Sequence, residues 1–210
     1  MQRAHVPAIL VLAGILVSLP LRSDDSGVSR LPTFAQRGLP GPAHKALEPL
    51  IGTWQVEKTS FIAGGTPQKP VTSTALTSRR QWIADGRFVR DETQGQIAGN
   101  KYWRLGLLGY DTMSRCYEWV TVDGLNSMMM IYRAAPQSGQ QQPIAMTGVF
   151  TDQGLIDEST NGKPVQQRTV IRIENNDRHV IELYLRPPGR AEFLADRAVY
   201  TRTTQAERDQ

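Results

Sequence analysis

Gly52-Thr53-Trp54 is the most informative stretch for the fold, because it begins the first of many short strands in a chain that shows no long helical pattern. Beyond it, Trp54 and Val56 fall on one face of the chain, and Gln55 and Glu57 fall on the other. Apolar and polar residues that alternate in this way are typical of a half-buried β-strand. We therefore expect an all-β protein whose first strand begins at this glycine.

The same alternation continues to the end of the chain, in segments separated by turn-forming sequences such as Asp85-Gly86 and Pro187-Pro188-Gly189. The further predicted strands cover residues 71–83, 87–96, 101–110, 115–123, 127–133, 143–151, 163–174, 178–186 and 190–203. About ten strands joined mainly by hairpin turns predict a single antiparallel up-and-down β-barrel over residues 43–203. The alternative is a sandwich of two sheets.

The N-terminal part of the chain carries a separate signal. Residues 6–21 form an apolar run behind Arg3, as in the core of an export signal peptide. We expect residues 1–27 to be a signal peptide. The alternative is an uncleaved N-terminal anchor, which would be the only part of the protein in contact with a membrane. The protein would accordingly be exported, to the periplasm or to the medium.

Two further segments flank the predicted barrel. Residues 23–42 are rich in Ser, Gly, Pro and Asp, so the part of this stretch after the export segment, residues 28–42, predicts a flexible linker, whereas residues 204–210 predict a disordered tail. Between linker and barrel, residues 43–50 predict a short helix of one or two turns, because Pro49 limits its length. Such a helix would cap one end of the barrel.

Composition argues against a nucleic-acid partner and against an intramolecular disulfide. The 24 Lys and Arg residues and 20 Asp and Glu residues give a net charge of +4, but the two signs are interspersed. A nucleic-acid-binding protein would show a clustered basic stripe, so we expect no nucleic-acid partner. The single cysteine, Cys116, allows no intramolecular disulfide. The oligomeric state is not indicated by the sequence.

Five motifs in order resemble an uncharacterised bacterial group, domain-of-unknown-function family 1579, over about residues 43–203. They are residues 44–54 (His44-x-x-Leu47-x-x-Leu50-Ile51-Gly52-Thr53-Trp54), Arg80-Gln81-Trp82-Ile83, Gly86-Arg87-Phe88, residues 106–111 (GLLGYD) and Tyr200-Thr201-Arg202. The resemblance implies a lipocalin-like or calycin-like barrel, in agreement with the strand count, and brings no established activity.

A lipocalin-like barrel also implies roles for three residues at its closed end. In such barrels the tryptophan of the first strand plugs the closed end, and a basic residue of the last strand packs across it. Gly52, Trp54 and Arg202 match those positions, so we expect them to close the barrel, with a cation–π contact between Arg202 and Trp54.

Candidate ligand-binding residues are aromatic, methionine, histidine and arginine side chains that lie on the predicted strands and could face the cavity. They are Trp82, Phe88, Arg90, Trp119, Met129, His179 and Tyr184. Filling of the core by these side chains is the competing interpretation.

His179 is a candidate for a more specific role, because it shares a strand face with Ile181, Leu183 and Leu185. A histidine that points into an apolar cavity could be an axial haem ligand, as in nitrobindin-type barrels. No other cofactor is suggested by the sequence. The glycine-rich motif of those barrels is missing after Trp54. A structural or surface histidine remains the alternative.

Arg90, Glu92 and Glu182 could form a charged network inside the barrel, if their strand faces point inward. The alternative is an outward ladder of opposite charges. The sequence contains no GxSxG, phosphate loop, Cys-x-x-Cys or HExxH motif, so it assigns no catalytic residue and no metal ligand.

These features predict an exported barrel that binds a small, mainly apolar molecule in its cavity, closed by residues 43–50. One alternative is an enzyme, in which Glu92 or Glu182 works with His179 or Tyr184. Another is a cell-envelope interaction protein whose interior is filled by its own side chains.

Overall fold

A computed structural model of the chain describes residues 31–136 and 142–203. The predicted export segment at 1–27, the first three residues of the predicted linker at 28–42 and the predicted tail at 204–210 lie outside the described residues. Among those described, no helix combines the length and the apolar character that crossing a lipid bilayer requires.

Ten strands make up most of the described chain. They are β1 (Gly52–Ser60), β2 (Val71–Ile83), β3 (Phe88–Ile97), β4 (Asn100–Asp111), β5 (Cys116–Asp123), β6 (Met130–Ala134), β7 (Ile144–Thr151), β8 (Pro164–Asn175), β9 (Arg178–Arg186) and β10 (Phe193–Arg202). Each strand pairs antiparallel with its neighbours in sequence, and β1 pairs with β10. The sheet is therefore a closed up-and-down barrel, as predicted, and the two-sheet alternative is wrong.

In the described chain, helical structure is confined to short segments. The helices α1 (Thr33–Arg37) and α2 (Pro42–Lys45) precede β1, a 3₁₀ turn covers Glu48–Leu50, and a second covers Glu158–Thr160. The predicted capping helix at 43–50 is thus two shorter pieces, with Pro49 inside the 3₁₀ turn.

The segment that was expected to be a flexible linker contains α1 and is attached to the barrel. Thr112 donates a 2.9 Å hydrogen bond to the carbonyl of Arg37, and the Arg87 Nε group donates a 3.0 Å bond to the carbonyl of Gly38. These bonds satisfy carbonyls at the end of α1 that the helix itself leaves unpaired. The linker prediction is therefore wrong for residues 33–42.

The end of the barrel covered by α2 and the 3₁₀ turn, which we call the capped end, is filled by buried apolar side chains. Leu47, Leu50 and Trp54 are fully buried there, and the Trp54 indole donates a 3.0 Å hydrogen bond to the Leu50 carbonyl. A smaller apolar cluster, which includes Ile62, Phe150 and Leu185, lies toward the other end, the mouth. The space between the two clusters is not filled.

Candidate ligand-binding cavity

A cavity of about 400 Å³ occupies the middle of the barrel and extends to the mouth, where it is partly open. Its rim consists of the ends of β1, β3, β5 and β7 and the loops that follow them, including Ile62, Ala98, Leu125 and Leu155. Pockets that hold small molecules have volumes of about 300–1,000 Å³. The volume is therefore sufficient for one small ligand.

The cavity wall is mainly apolar because inward positions on the strands are mainly apolar. Leu76 of β2, Trp119 of β5, Met130 of β6 and Ile181 and Leu183 of β9 all line it. The Trp119 indole nitrogen has no hydrogen-bond partner among the described residues. A side chain at Gly106 would approach that nitrogen to 2.6 Å, so the indole edge lies against β4 and not in the open cavity.

Below the cavity, at the capped end, aromatic rings form a closed layer. The His179 ring stacks on Tyr200, with 4.4 Å between centroids and 14° between planes, and meets Trp54 edge to face at 4.4 Å. Arg202 lies over Trp54 at 4.3 Å and donates hydrogen bonds to the carbonyls of Ile51 and Pro49. The expected contact between Arg202 and Trp54 is thus present.

A charged cluster joins this aromatic layer to the cavity floor. Asp91 of β3 forms ion pairs with Arg80 of β2 at 3.3 Å and with Arg104 of β4 at 2.6 Å. It also accepts a 2.8 Å hydrogen bond from Ser78. Burial alone would raise the pKa of Asp91, but the two guanidinium charges hold it well below its usual range. Asp91 is therefore ionised at neutral pH.

His179 contacts this cluster through its Nε2 atom, which accepts a hydrogen bond from Arg80. Burial, followed by the charge of Arg80, lowers the pKa of His179 from 6.5 to about 2. The imidazole is therefore neutral and carries its proton on Nδ1, for which no partner exists among the described residues.

A second ion pair lies higher on the cavity wall. Lys58 of β1 contacts Asp196 of β10 at 3.0 Å and lies over the Tyr102 ring at 5.4 Å. Although burial alone would lower the pKa of Lys58, Asp196 raises it above its usual range. Lys58 is charged, and the pair is neutral as a whole.

The structure brings only some of the predicted ligand-binding residues to the cavity. Trp119 lines the cavity. Trp82 points inward but lies at the capped end, where its indole donates a 2.7 Å hydrogen bond to Glu48. His179 is fully buried beneath Tyr200 and does not line the cavity.

Four predicted residues lie on the outer face of the barrel, and for these the prediction is wrong. Phe88 covers Gly109, where a side chain would clash at 2.5 Å, and Arg90 pairs with Glu92 at 2.7 Å. Tyr184 lies under Arg168, with 4.0 Å from the guanidinium carbon to the ring. Met129 is 67% exposed, because it precedes β6 on the same side of the chain as the exposed Ile131, whereas Met130 faces the cavity.

The alternative of an outward charge ladder is therefore the observed one. Arg90 and Glu92 pair on the outer face of β3, and Glu182 contacts Arg172 at 3.5 Å on the outer face of β9. Neither carboxylate reaches His179, so neither of the carboxylate–histidine pairs considered for an enzyme is formed. The Tyr184 hydroxyl does donate a 3.0 Å hydrogen bond to Glu182, but outside the cavity.

Sequence reasoning missed the inward charges Arg80, Asp91 and Arg104. The sequence contained a signal for two of them. Asp91 lies on the same face of its strand as Val89 and Thr93, and Arg104 lies on the same face as Tyr102. The prediction instead assigned the face of β3 that contains Phe88 to the cavity, because that face begins with an aromatic side chain.

The surroundings of His179 in the described chain bear on the haem hypothesis. The Nε2 atom of His179 is occupied by Arg80, and Tyr200 separates the ring from the cavity, so the haem hypothesis gains no support. In the described parts of the chain, no group of three or more His, Cys, Asp or Glu side chains is placed to hold a metal ion.

Three solved structures are similar to this fold at low sequence identity. In each case the match covers 99% of the other protein's chain. Rv2717c from M. tuberculosis is 16% identical over 78% of this chain, with a TM-score of 0.49. The S-type phycobiliprotein lyase CPES from Guillardia theta is 10% identical over 83%, with a TM-score of 0.48. EF1p2_mFAP2b bound to DFHBI is 13% identical over 77%, with a TM-score of 0.38.

No curated protein is significantly similar to this chain. A family model does match it, over residues 39–202, which include every strand of the barrel and the helix α2. The description of that family is "Protein of unknown function (DUF1579)". The chain belongs to the DUF1579 family.

Proposed function

We propose that this protein binds one small, mainly apolar molecule inside its barrel. The observation that supports the proposal is the cavity of about 400 Å³, with an apolar wall and a partly open mouth. Transfer of an apolar molecule from water to this wall provides the main part of the binding free energy, at about 25 cal/mol per Å² of buried apolar surface. The capped end closes the cavity from below, and ligand enters through the mouth.

The cavity also bears on the alternative of a pure interaction protein. That alternative requires an interior filled by its own aromatic and methionine side chains. Met130 and Trp119 line the open space without filling it. Binding of a small molecule is therefore the function that the geometry supports best.

The test is a fluorescence titration with Nile red, a neutral apolar dye. Ala198 of β10 lines the cavity, whereas Ala145 of β7 is exposed on the outer face. We expect saturable binding to the wild type and to Ala145→Trp, and loss of binding in Ala198→Trp, whose indole occupies the cavity. Near-UV circular dichroism confirms that both variants are folded. Equal binding by the two variants would contradict the proposal.

We also propose that the protein is exported, on the basis of the apolar run at residues 6–21. Cell fractionation of the full chain and of a form lacking residues 1–27 tests this. The full chain is expected outside the cytoplasm and the shortened form inside it. Equal distribution of the two forms would contradict export.

A further inference from the structure

The charged cluster at the cavity floor contains one more positive charge than negative. Arg80 and Arg104 share a single carboxylate, that of Asp91, and all three side chains are largely removed from solvent. Within the described ranges, neither guanidinium forms an ion pair with any other carboxylate. The neutral His179 adds no charge. The floor of the cavity therefore carries a net charge of +1.

The other charges in the cavity do not cancel this excess. Lys58 and Asp196 neutralise each other. At the rim, Lys101 and Asp123 both line the cavity and again contribute one charge of each sign. A buried charge without a counterion is unfavourable in a medium of low dielectric constant. An anion in the cavity would remove that cost.

Arg104 is the group through which the excess charge meets the cavity. Its side chain lines the cavity and is 15% exposed, whereas Arg80 is 2% exposed and does not line it. All the hydrogen bonds of Arg104 to described residues leave from Nη2, toward Asp91, Thr93 and Tyr200. The buried Nε atom has no partner there, and no such bond involves Nη1.

Hydroxyl groups near Arg104 add further donors. Tyr132 lines the cavity, and the one acceptor of its hydroxyl among the described residues is the sulfur of Met130 at 3.5 Å, which is a weak acceptor. Burial raises the pKa values of Tyr132 and Tyr102, so both phenols keep their protons at neutral pH. An oxyanion bound at Arg104 could therefore also accept hydrogen bonds from phenols of the cavity wall.

From this arrangement we infer that the ligand is an amphipathic monoanion, whose single oxyanion group pairs with Arg104 while its apolar body fills the cavity toward the mouth. The inference rests on the proposed function and specifies its ligand class. A neutral ligand would leave the excess positive charge that Arg80 and Arg104 have over Asp91 without a counterion in the cavity. A dianion would replace the excess positive charge by an excess negative one.

The test compares two ligands with the same alkyl chain, dodecanoate and dodecanol, by displacement of Nile red at about pH 8, where a carboxylate is ionised. We expect the wild type to bind dodecanoate about tenfold or more tightly than dodecanol. The reason is that a hydrogen bond between two charged groups stabilises a complex more than a hydrogen bond to a neutral hydroxyl does. In Arg104→Gln this preference should disappear while dodecanol binding stays within about threefold of wild type. Arg90→Gln, on the outer face, should keep the preference.

Equal affinity of the wild type for the two ligands would overturn the inference, and that comparison needs no variant. Equal weakening of both ligands by Arg104→Gln would also overturn it. In both cases binding of dodecanol and Nile red would leave the proposed function intact. Failure of the wild type to bind dodecanol, dodecanoate and Nile red would instead overturn the proposed function, and with it the inference.

Discussion

The ring of Tyr200 covers that of His179: the two are stacked with 4.4 Å between their centroids, and only Tyr200 lines the cavity. This stack is the boundary between the open cavity and the closed end of the barrel. On one side of it lie Trp54 and Arg202, and on the other lie Arg104 and the cavity wall. The histidine is thus part of the structural floor, and the arginine is the polar group that ligand can reach.

We predict that His179 stays neutral throughout the physiological pH range. Its pKa in the folded state is about 2, because burial and Arg80 disfavour the imidazolium, whereas in the unfolded chain it is 6.5. NMR spectra of the imidazole should therefore show no titration of His179 between about pH 8 and pH 5. A titration with a midpoint near 6.5 would contradict this placement.

The same shift has a consequence for stability. The unfolded chain takes up a proton at His179 as pH falls below 6.5, while the folded protein does so only near pH 2. The contribution of His179 to stability is therefore complete above pH 6.5 and is lost as pH falls toward 2, by up to about 1.4 kcal/mol per pH unit. Denaturant unfolding between about pH 6.5 and pH 5 should show a shallower pH dependence in His179→Gln than in wild type. Identical slopes would argue against a buried neutral His179.

Asp91→Asn should strongly destabilise the protein. Without the carboxylate, Arg80 and Arg104 are two buried cations that no described carboxylate pairs with. Breaking a buried ion pair on one side typically costs about 3–5 kcal/mol. The control is Glu92→Gln, the next residue along β3, whose side chain is 35% exposed on the outer face and should cost at most about 1 kcal/mol. Urea unfolding measures both, and equal costs would show that Asp91 is not the centre of the cluster.

Gly52→Ala should also destabilise the fold. Gly52 has a φ of +137°, and a methyl group there would clash with the guanidinium of Arg202. A residue forced into such a conformation costs about 1–3 kcal/mol. Gly124→Ala is a suitable control, because the nearest atom to its methyl group would be 3.9 Å away. If the two variants unfold at the same urea concentration, the contact between β1 and Arg202 does not secure the barrel closure.

The adjacent methionines should differ in their effect on stability. Met130 lines the cavity and packs against the core, whereas Met129 is 67% exposed. We expect Met130→Ala to cost about 2 kcal/mol, the low end for Met-to-Ala changes because the side chain is only partly buried. Met129→Ala should stay within about 0.5 kcal/mol of wild type. Thermal unfolding distinguishes the two variants. A larger loss of stability in Met129→Ala than in Met130→Ala would mean that Met129, and not Met130, points into the barrel.

The barrel could be predicted from the sequence because period-two alternation and hairpin turns are local signals. The strands at 71–83 and 178–186 have the predicted bounds. The cavity could not be predicted to the same degree, because it depends on which face of each strand points inward. On β3 both faces contain charges, and Phe88 suggested the face that the structure places outside. The partners of Asp91 come from the two strands beside it, and pairing between strands decides those contacts.

Native mass spectrometry shows whether the cavity holds a small molecule. The wild type, Ala198→Trp and Ala145→Trp would be purified from the host of the protein and measured before and after addition of dodecanoate and, separately, of Nile red. We expect a complex of one ligand per chain in the wild type and in Ala145→Trp, and none in Ala198→Trp. A bare chain at saturating dodecanoate and Nile red, or a complex that persists in Ala198→Trp, would contradict it.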